Sequence, residues 1–342
     1  MSNPETTQTA GSSDPGGHEL PGTLNHFFGA TEPPPLPYVV DGVIPEGYVS
    51  ILFGPGGTGK SMLALHIAIC VAIGVPALGF EASRCSVLFV DYELSFEAHL
   101  RRAAKILRGL GTSLSHAALE GHLAHYEPSM PLSTERGRQE LRDAVARERP
   151  SLVVVDSLSI GAAGADLGAA QEVMPIMKCL DSLGASVLAT DHPPKGGRGT
   201  TPIGSVFKFN VARAVFSLSR LGRTSDLRVL RSMKHNFGSR PDEVYFTIAF
   251  EEDRIRFAGC DRPNNSLLPP SGRTATLHAI RALHRETEAP VEQADVVRWN
   301  EEHDDAREIE LSTVQNHFSL LKGKGLIEPA PDGQKGYVPV EP

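Results

Sequence analysis

The chain has 342 residues, with 33 basic and 41 acidic side chains and a formal charge of −8. That length accommodates one large α/β domain and a small one at about 100–200 residues each, and the charge excludes a protein that coats nucleic acid over its whole surface. Four cysteines, Cys70, Cys85, Cys179 and Cys260, lie far apart without CxxC spacing; they read as reduced thiols of a cytoplasmic protein, and no zinc site is expected from them.

The first twenty or so residues are rich in Ser, Thr, Gly and Pro and lack the apolar core of a signal peptide, so residues 1–30 are expected to form a disordered tail. Pro33-Pro34-Pro35-Leu36-Pro37 then makes a stiff, extended approach, either a spacer or an arm lying on a neighbouring subunit. An apolar strand over 48–53 runs into Gly54-Pro55-Gly56-Gly57-Thr58-Gly59-Lys60-Ser61, and a helix-like run follows over 62–73. The full GxxxxGKS spacing between a strand and a helix is a phosphate-binding loop. Its small residues let backbone N–H groups converge on the phosphates of ATP, and the helix adds the positive end of its dipole. Residues Gly54 to Met62 therefore make the nucleotide site. In it Lys60 reaches the β- and γ-phosphate oxygens and the Ser61 hydroxyl ligates Mg²⁺.

Further along, apolar strands at 87–90, 152–155 and 186–189 alternate with helices at 97–110, 134–149 and 169–183. Short, nearly continuous apolar strands separated by helices predict an α/β fold with a mainly parallel sheet covered on both faces. From Ala214 the pattern becomes alternating, at 214–219, 227–233, 244–250 and 255–257, as expected of antiparallel strands at a sheet edge. The longest apolar stretch, 62–75, is shorter than the ~20 residues of a membrane span. These elements assign 31–262 to an ATPase domain, 263–272 to an Asn- and Pro-rich linker and 273–342 to a small domain.

Three strand tips carry chemistry. Leu152-Val153-Val154-Val155-Asp156-Ser157 ends in a carboxylate placed to hold the Mg²⁺ water shell beside Ser61; the plainer alternative is an aspartate capping the next loop. Val87-Leu88-Phe89-Val90-Asp91-Tyr92-Glu93 ends in acids, of which Glu93 is the general base for the attacking water and Asp91 the competing choice. Ser186 to Asp191 is followed by His192, a polar tip suited to sensing the γ-phosphate.

With these parts in order, the sequence resembles the RecA-like ATPase core, and more closely the plasmid RepA-type hexameric replicative helicases of the AAA_25 group. The matching stretches are 33–39, Gly54 to Leu65, Val153-Val154-Val155-Asp156-Ser157-Leu158 and Asp191-His192-Pro193-Pro194-Lys195-Gly196. The resemblance covers roughly 33–258. It implies ATP hydrolysis at the subunit interfaces of a homo-oligomeric ring, with an arginine supplied by the neighbour at the position of Arg213. Lys234 matches a second basic position that the family places near the neighbouring γ-phosphate. Family members commonly carry two successive histidines at the sensor, whereas here Asp191 precedes His192.

Between Lys195 and Arg240 stand ten Lys or Arg residues against the single acid Asp226. In RecA-like proteins the loop after the sensor strand faces a central channel, so Lys195 and Arg198, with Lys208 beyond them, are the expected contacts to the phosphates of single-stranded DNA. Residues 273–342 read as a winged helix with helices at 274–285, 291–300 and 312–322 and a hairpin from 325–328 and 335–338. Eight basic against thirteen acidic residues over 270–342 favour a protein partner slightly over DNA. The expectation is a cytoplasmic, Mg²⁺-ATP-hydrolysing ring motor on single-stranded DNA, a replicative helicase of a plasmid, phage or mobile element. The rivals are a RecA-like recombination or repair ATPase, and an ATP-dependent switch acting through the winged helix.

Overall fold

The computed structural model describes residues 35–111, 121–193, 206–221, 226–238, 241–262, 272–303, 311–331 and 334–340. The chain divides into a unit Met1–Leu36 and a second unit, Pro37–Pro342, that holds every element named below. The expected tail, most of the linker and the proposed channel loop with Lys195 and Arg198 lie outside the described residues.

The centre is a nine-stranded sheet. Its parallel half contains β3 (Val49–Phe53), β4 (Val87–Asp91), β5 (Leu123–Tyr126), β6 (Leu152–Asp156), β7 (Ser186–Asp191) and β8 (Ala214–Arg220). Strands β9 (Leu227–His235), β10 (Val244–Phe250) and β11 (Ile255–Cys260) extend it antiparallel, giving the order β11-β10-β9-β8-β3-β7-β6-β4-β5. The change of pattern at Ala214 therefore marks a pivot strand: β8 runs parallel to β3 on one side and antiparallel to β9 on the other.

Helices α1 (Lys60–Ile73) and α2 (Phe96–Gly109) cover one face of the sheet, and α3 (Glu135–Glu148) and α5 (Ala170–Asp181) the other, with a single turn α4 (Leu158–Gly161) after β6. The pleat sorts the strand side chains between the two cores. On β6, Leu152 and Val154 join the α1 side while Val153 and Val155 join the α3 side. This two-sided burial is why the parallel strands read as unbroken apolar runs. Helix α1 is buried from Leu63 through Ala72, which holds the phosphate loop at its N-terminus on a fixed support.

Two features depart from the sequence reading. Residues 38–45 form a small antiparallel pair, β1 (Tyr38–Val40) and β2 (Ile44–Pro45), whose Val39, Val40, Val43 and Ile44 are buried in the chain's own first core. The extended approach read as a spacer or an arm, 33–37, stops short of this pair, and its first two residues lie outside the described ones. Strand β5 was not expected, because Leu-Ala-His-Tyr has no apolar run and every one of its residues is only half-buried.

Beyond a short helix α6 (Val206–Val211) and the antiparallel strands come α7 (Gly272–Thr287), α8 (Gln293–His303), α9 (Leu311–Gly323) and the pair β12 (Ile327–Pro329) and β13 (Tyr337–Pro339). They share a core of their own, with Ile280, Val296, Val314, Phe318 and Ile327 buried together. No helix among the described residues is long and apolar enough to cross a membrane.

Candidate active site

The phosphate loop is shaped by its own contacts. Gly59, the N-cap of α1, has φ +98°, a left-handed conformation that favours glycine. Gly54 lies so close to β8 that a Cβ there would stand 2.2 Å from the Leu218 carbonyl oxygen. Within the loop the Thr58 hydroxyl donates to the Pro55 carbonyl at 2.9 Å, and from β9 Arg228 Nε donates to the Thr58 carbonyl at 2.8 Å.

Lys60 opens α1 with its ammonium 3.1 Å from the Pro55 carbonyl and 3.5 Å from His192 Nδ1. Burial lowers the Lys60 pKa, opposed by the nearby carboxylates of Asp156, Glu93 and Asp191. Next to it the Ser61 hydroxyl donates to Asp156 Oδ1 at 3.1 Å, and Thr190 Oγ1 donates to the same oxygen. Asp156 is buried at the tip of β6, and its pKa is pushed up to about 6, chiefly by burial and further by Glu93 and Asp91. A raised carboxylate beside a hydroxyl is a site made for a cation: bringing one there favours the ionised form that burial opposes. The Ser61 and Asp156 pair fits the expected Mg²⁺ position on that ground.

Strand register places Asp91 of β4 alongside Asp156 of β6. Two residues on, Glu93 is exposed toward the cavity and accepts a hydrogen bond from Ser157 Oγ at 2.6 Å. Asp91 is not a second choice of base. Its Oδ1 accepts the N–H groups of Glu93 and Leu94 at 2.9 and 2.8 Å, while Oδ2 faces His99 and His125. Burial would raise its pKa, but the facing imidazoles and the two N–H donors outweigh it and hold the carboxyl well below the usual range. Asp91 is the residue that shapes the turn and aims Glu93.

His192 follows β7 with its pKa lowered by burial and by the Lys60 ammonium, so it faces Lys60 as a neutral imidazole. Its backbone N–H donates to Asp191 Oδ1 at 2.9 Å, and Lys208 of α6 pairs with Asp191 Oδ2 at 2.8 Å. Gly57, Gly59, Lys60, Ser61, Met62, Glu93, Asp156 and His192 line one cavity of about 300 Å³. Arg102 of α2 and Phe250 at the end of β10 line it too, and the sequence reading missed both. Phe250 is 56% exposed, so an aromatic ring lines the cavity while keeping a face to solvent.

A family model described as an AAA domain, AAA_25, matches residues 18–198, more than half of the chain. The chain belongs to the AAA_25 family. Similar solved structures include a KaiC-like protein from the archaeon Pyrococcus horikoshii OT3, with 19% identity and TM-score 0.46 over 64% of this chain and 93% of that one. Another is the flagellar accessory protein FlaH from Methanocaldococcus jannaschii, with 18% identity and TM-score 0.46 over 64% and 92% of the two chains.

In this AAA_25 chain Arg213 and Lys234 lie apart from the cavity, and Lys195 and Arg198 lie outside the described residues. Arg213 precedes β8, its N–H bonded to the carbonyl of Val49 at the start of β3. The phosphate loop leaves the other end of β3, a strand length of roughly 16 Å away. Among the described residues the Arg213 guanidinium makes no hydrogen bond or ion pair. Lys234 is near it, and its ammonium donates to the carbonyls of Phe209, Asn210 and Ala212 at 2.7, 3.0 and 2.7 Å. It closes the C-terminal end of α6, where a cation satisfies carbonyls that the helix leaves open.

The basic segment is thus less of a surface than its composition suggests. Lys208 is 2% exposed and held by Asp191, which corrects the expectation that it contacts nucleic acid. Arg228 is 3% exposed and serves the phosphate loop, and Arg231 pairs with Glu243. The signal for Arg228 was present in the sequence: it occupies the same face of β9 as buried Leu230, where an unpaired arginine would be costly.

Proposed function

We propose that this AAA_25 protein is a ring-forming motor that couples Mg²⁺-ATP hydrolysis to movement on single-stranded DNA, with a replicative helicase of a mobile element as the fitting role. The carrying observation is that Lys60, Ser61 with Asp156, Glu93 and His192 meet in one cavity from four different strand tips. Lys60 and the loop N–H groups hold the phosphates, and Glu93, aimed by Asp91 and Ser157, takes the proton of the attacking water. Ser61 and Asp156 would hold Mg²⁺, which would neutralise charge on the phosphate oxygens. Phe250 offers its ring to the base.

The motor reading is supported by what frames the expected channel loop. His192, which meets Lys60, and Lys208 of α6 are both tied to Asp191, so the described residues on either side of the expected channel loop meet at the phosphate sensor. Arg213 is too far from its own phosphate loop to act there, which fits a residue that completes the site of an adjacent subunit. The helices α7 to α9 with the β12–β13 pair suit a winged helix, and its net acidity favours a protein partner. A cytoplasmic location goes with this reading.

The test is steady-state ATPase with and without single-stranded DNA, at low and at higher salt. Strong stimulation that fades with salt is expected of phosphate contacts. A rate indifferent to DNA would replace the motor by a partner-controlled switch.

A further inference from the structure

Behind the turn that carries Glu93, three side chains from three elements converge. Asp91 ends β4, His99 lies in α2 and His125 in β5, and the ligand atoms they offer lie within 4.8 Å of one another. His99 Nδ1 is 3.2 Å and His125 Nε2 is 3.8 Å from the same Asp91 oxygen, with side-chain exposures of 6%, 8% and 1% for the two histidines and the aspartate. His99 Nδ1 is hydrogen-bonded to Asp91, whereas His125 Nε2, at 3.8 Å too far to be so, faces the same oxygen buried and with no hydrogen-bond partner. An unpaired buried nitrogen is costly. Two ligands on one tetrahedral ion with bonds of about 2.0–2.1 Å stand roughly 3.3 Å apart, between the two observed separations.

The surroundings hold the three groups as metal ligands are held. Asp91 Oδ1 is fixed by the Glu93 and Leu94 N–H groups. The far nitrogen of His125, Nδ1, faces Glu127 Oε1 at 4.0 Å, and that carboxylate is itself held by the Phe96 N–H. At that distance the carboxylate does not accept a hydrogen bond from the ring, but its negative charge beside Nδ1 favours the imidazole as a metal ligand. Phe96 and Phe89 pack against His125 and His99 at ring separations of 5.4 and 4.4 Å, giving the cluster apolar walls.

We propose that Asp91, His99 and His125 bind one divalent transition-metal ion of the zinc class, at a position separate from that of Mg²⁺ at Ser61 and Asp156. Two imidazoles and one carboxylate suit zinc, whereas Mg²⁺ takes oxygen ligands. Because Asp91 also holds the turn through its other oxygen, an ion here would stiffen the support of Glu93.

The experiment uses tag-free full-length protein, stripped with chelator and titrated with Co²⁺ under excess Mg²⁺. The expected result is one equivalent of Co²⁺ giving the visible absorption of a nitrogen-ligated ion, displaced by Zn²⁺, with Zn²⁺ also raising the thermal midpoint of the wild-type chain. His99→Ala and His125→Ala should lose the band, Glu127→Gln should weaken binding by about 10–100-fold, and Asp156→Asn should keep it. Absence of both band and thermal shift in the wild-type chain, or a band that survives both histidine substitutions, overturns the proposal. The wild-type readouts and Glu127→Gln decide the matter even where a histidine variant fails to fold.

Discussion

Arg228 reaches from the antiparallel half of the sheet to the phosphate loop, its buried Nε donating to the Thr58 carbonyl at 2.8 Å. A charge-assisted hydrogen bond of this kind contributes about 1.5–3 kcal/mol, so Arg228→Lys is expected to weaken nucleotide binding by about 10–100-fold. Titration with a fluorescent ATP analogue reads this directly. Unchanged affinity in a variant with only a lower melting temperature would assign Arg228 to the fold and not to the loop.

Asp156 sets function against stability. Its folded pKa of about 6 lies above the ordinary carboxylate value, so its effect on stability is harmless below about pH 4 and grows unfavourable as pH rises to 6. Asp156→Asn keeps an oxygen to accept from Ser61 and Thr190 and removes the charge. The variant should be more stable than wild type by about 3 kcal/mol above pH 6.5 without added Mg²⁺, with the gap closing toward pH 4, while Mg²⁺-dependent ATPase is lost. Urea unfolding across that pH range provides the measurement; a gap that does not change with pH would contradict the assignment.

Glu93→Gln should bind ATP normally and lose turnover by about 10²–10⁴-fold, as removal of a general base does. Ser157→Ala, which frees the Glu93 carboxylate from its 2.6 Å hydrogen bond, should lower kcat by a smaller factor and leave KM unchanged. Normal turnover in Glu93→Gln would assign the base elsewhere.

Asp191 and Lys208 are a buried pair, 0% and 2% exposed. Lys208→Met alone should destabilise by about 3–5 kcal/mol because it strands a buried carboxylate, whereas Asp191→Asn with Lys208→Met should recover most of that loss. A double-mutant cycle by chemical denaturation measures the coupling, and additive losses would show that the two do not depend on each other.

Arg213→Ala and Lys60→Ala should each be nearly inactive, and mixing them should restore part of the ATPase activity if each subunit lends its arginine to another's phosphate loop. No recovery in mixed assemblies would place Arg213 outside the reaction.

The sheet and its tips were legible because buried parallel strands leave continuous apolar runs and because Lys60, Ser61, Asp156 and His192 sit where those runs stop. What escaped was whatever depends on the far side of a fold contact. Strand β5 hides in Leu-Ala-His-Tyr since it is an edge strand with no fully buried residue. Lys208 was read as a nucleic-acid contact and Lys234 as a cation near a neighbour's phosphate because a sequence does not show that a carboxylate or a row of carbonyls waits for them. His99 and His125 lie 8 and 34 positions from Asp91 along the chain, and only the pairing of β4 with β5 and the packing of α2 bring them together.

The two oxygens of Asp191 hold His192 and Lys208, so the polypeptide between those residues is closed at its base like a stitched loop. The Asp191 and Lys208 pair works as a clasp: one buried ion pair sets the distance between the end of β7 and α6, and with it the distance between His192 and the helix whose carbonyls Lys234 closes.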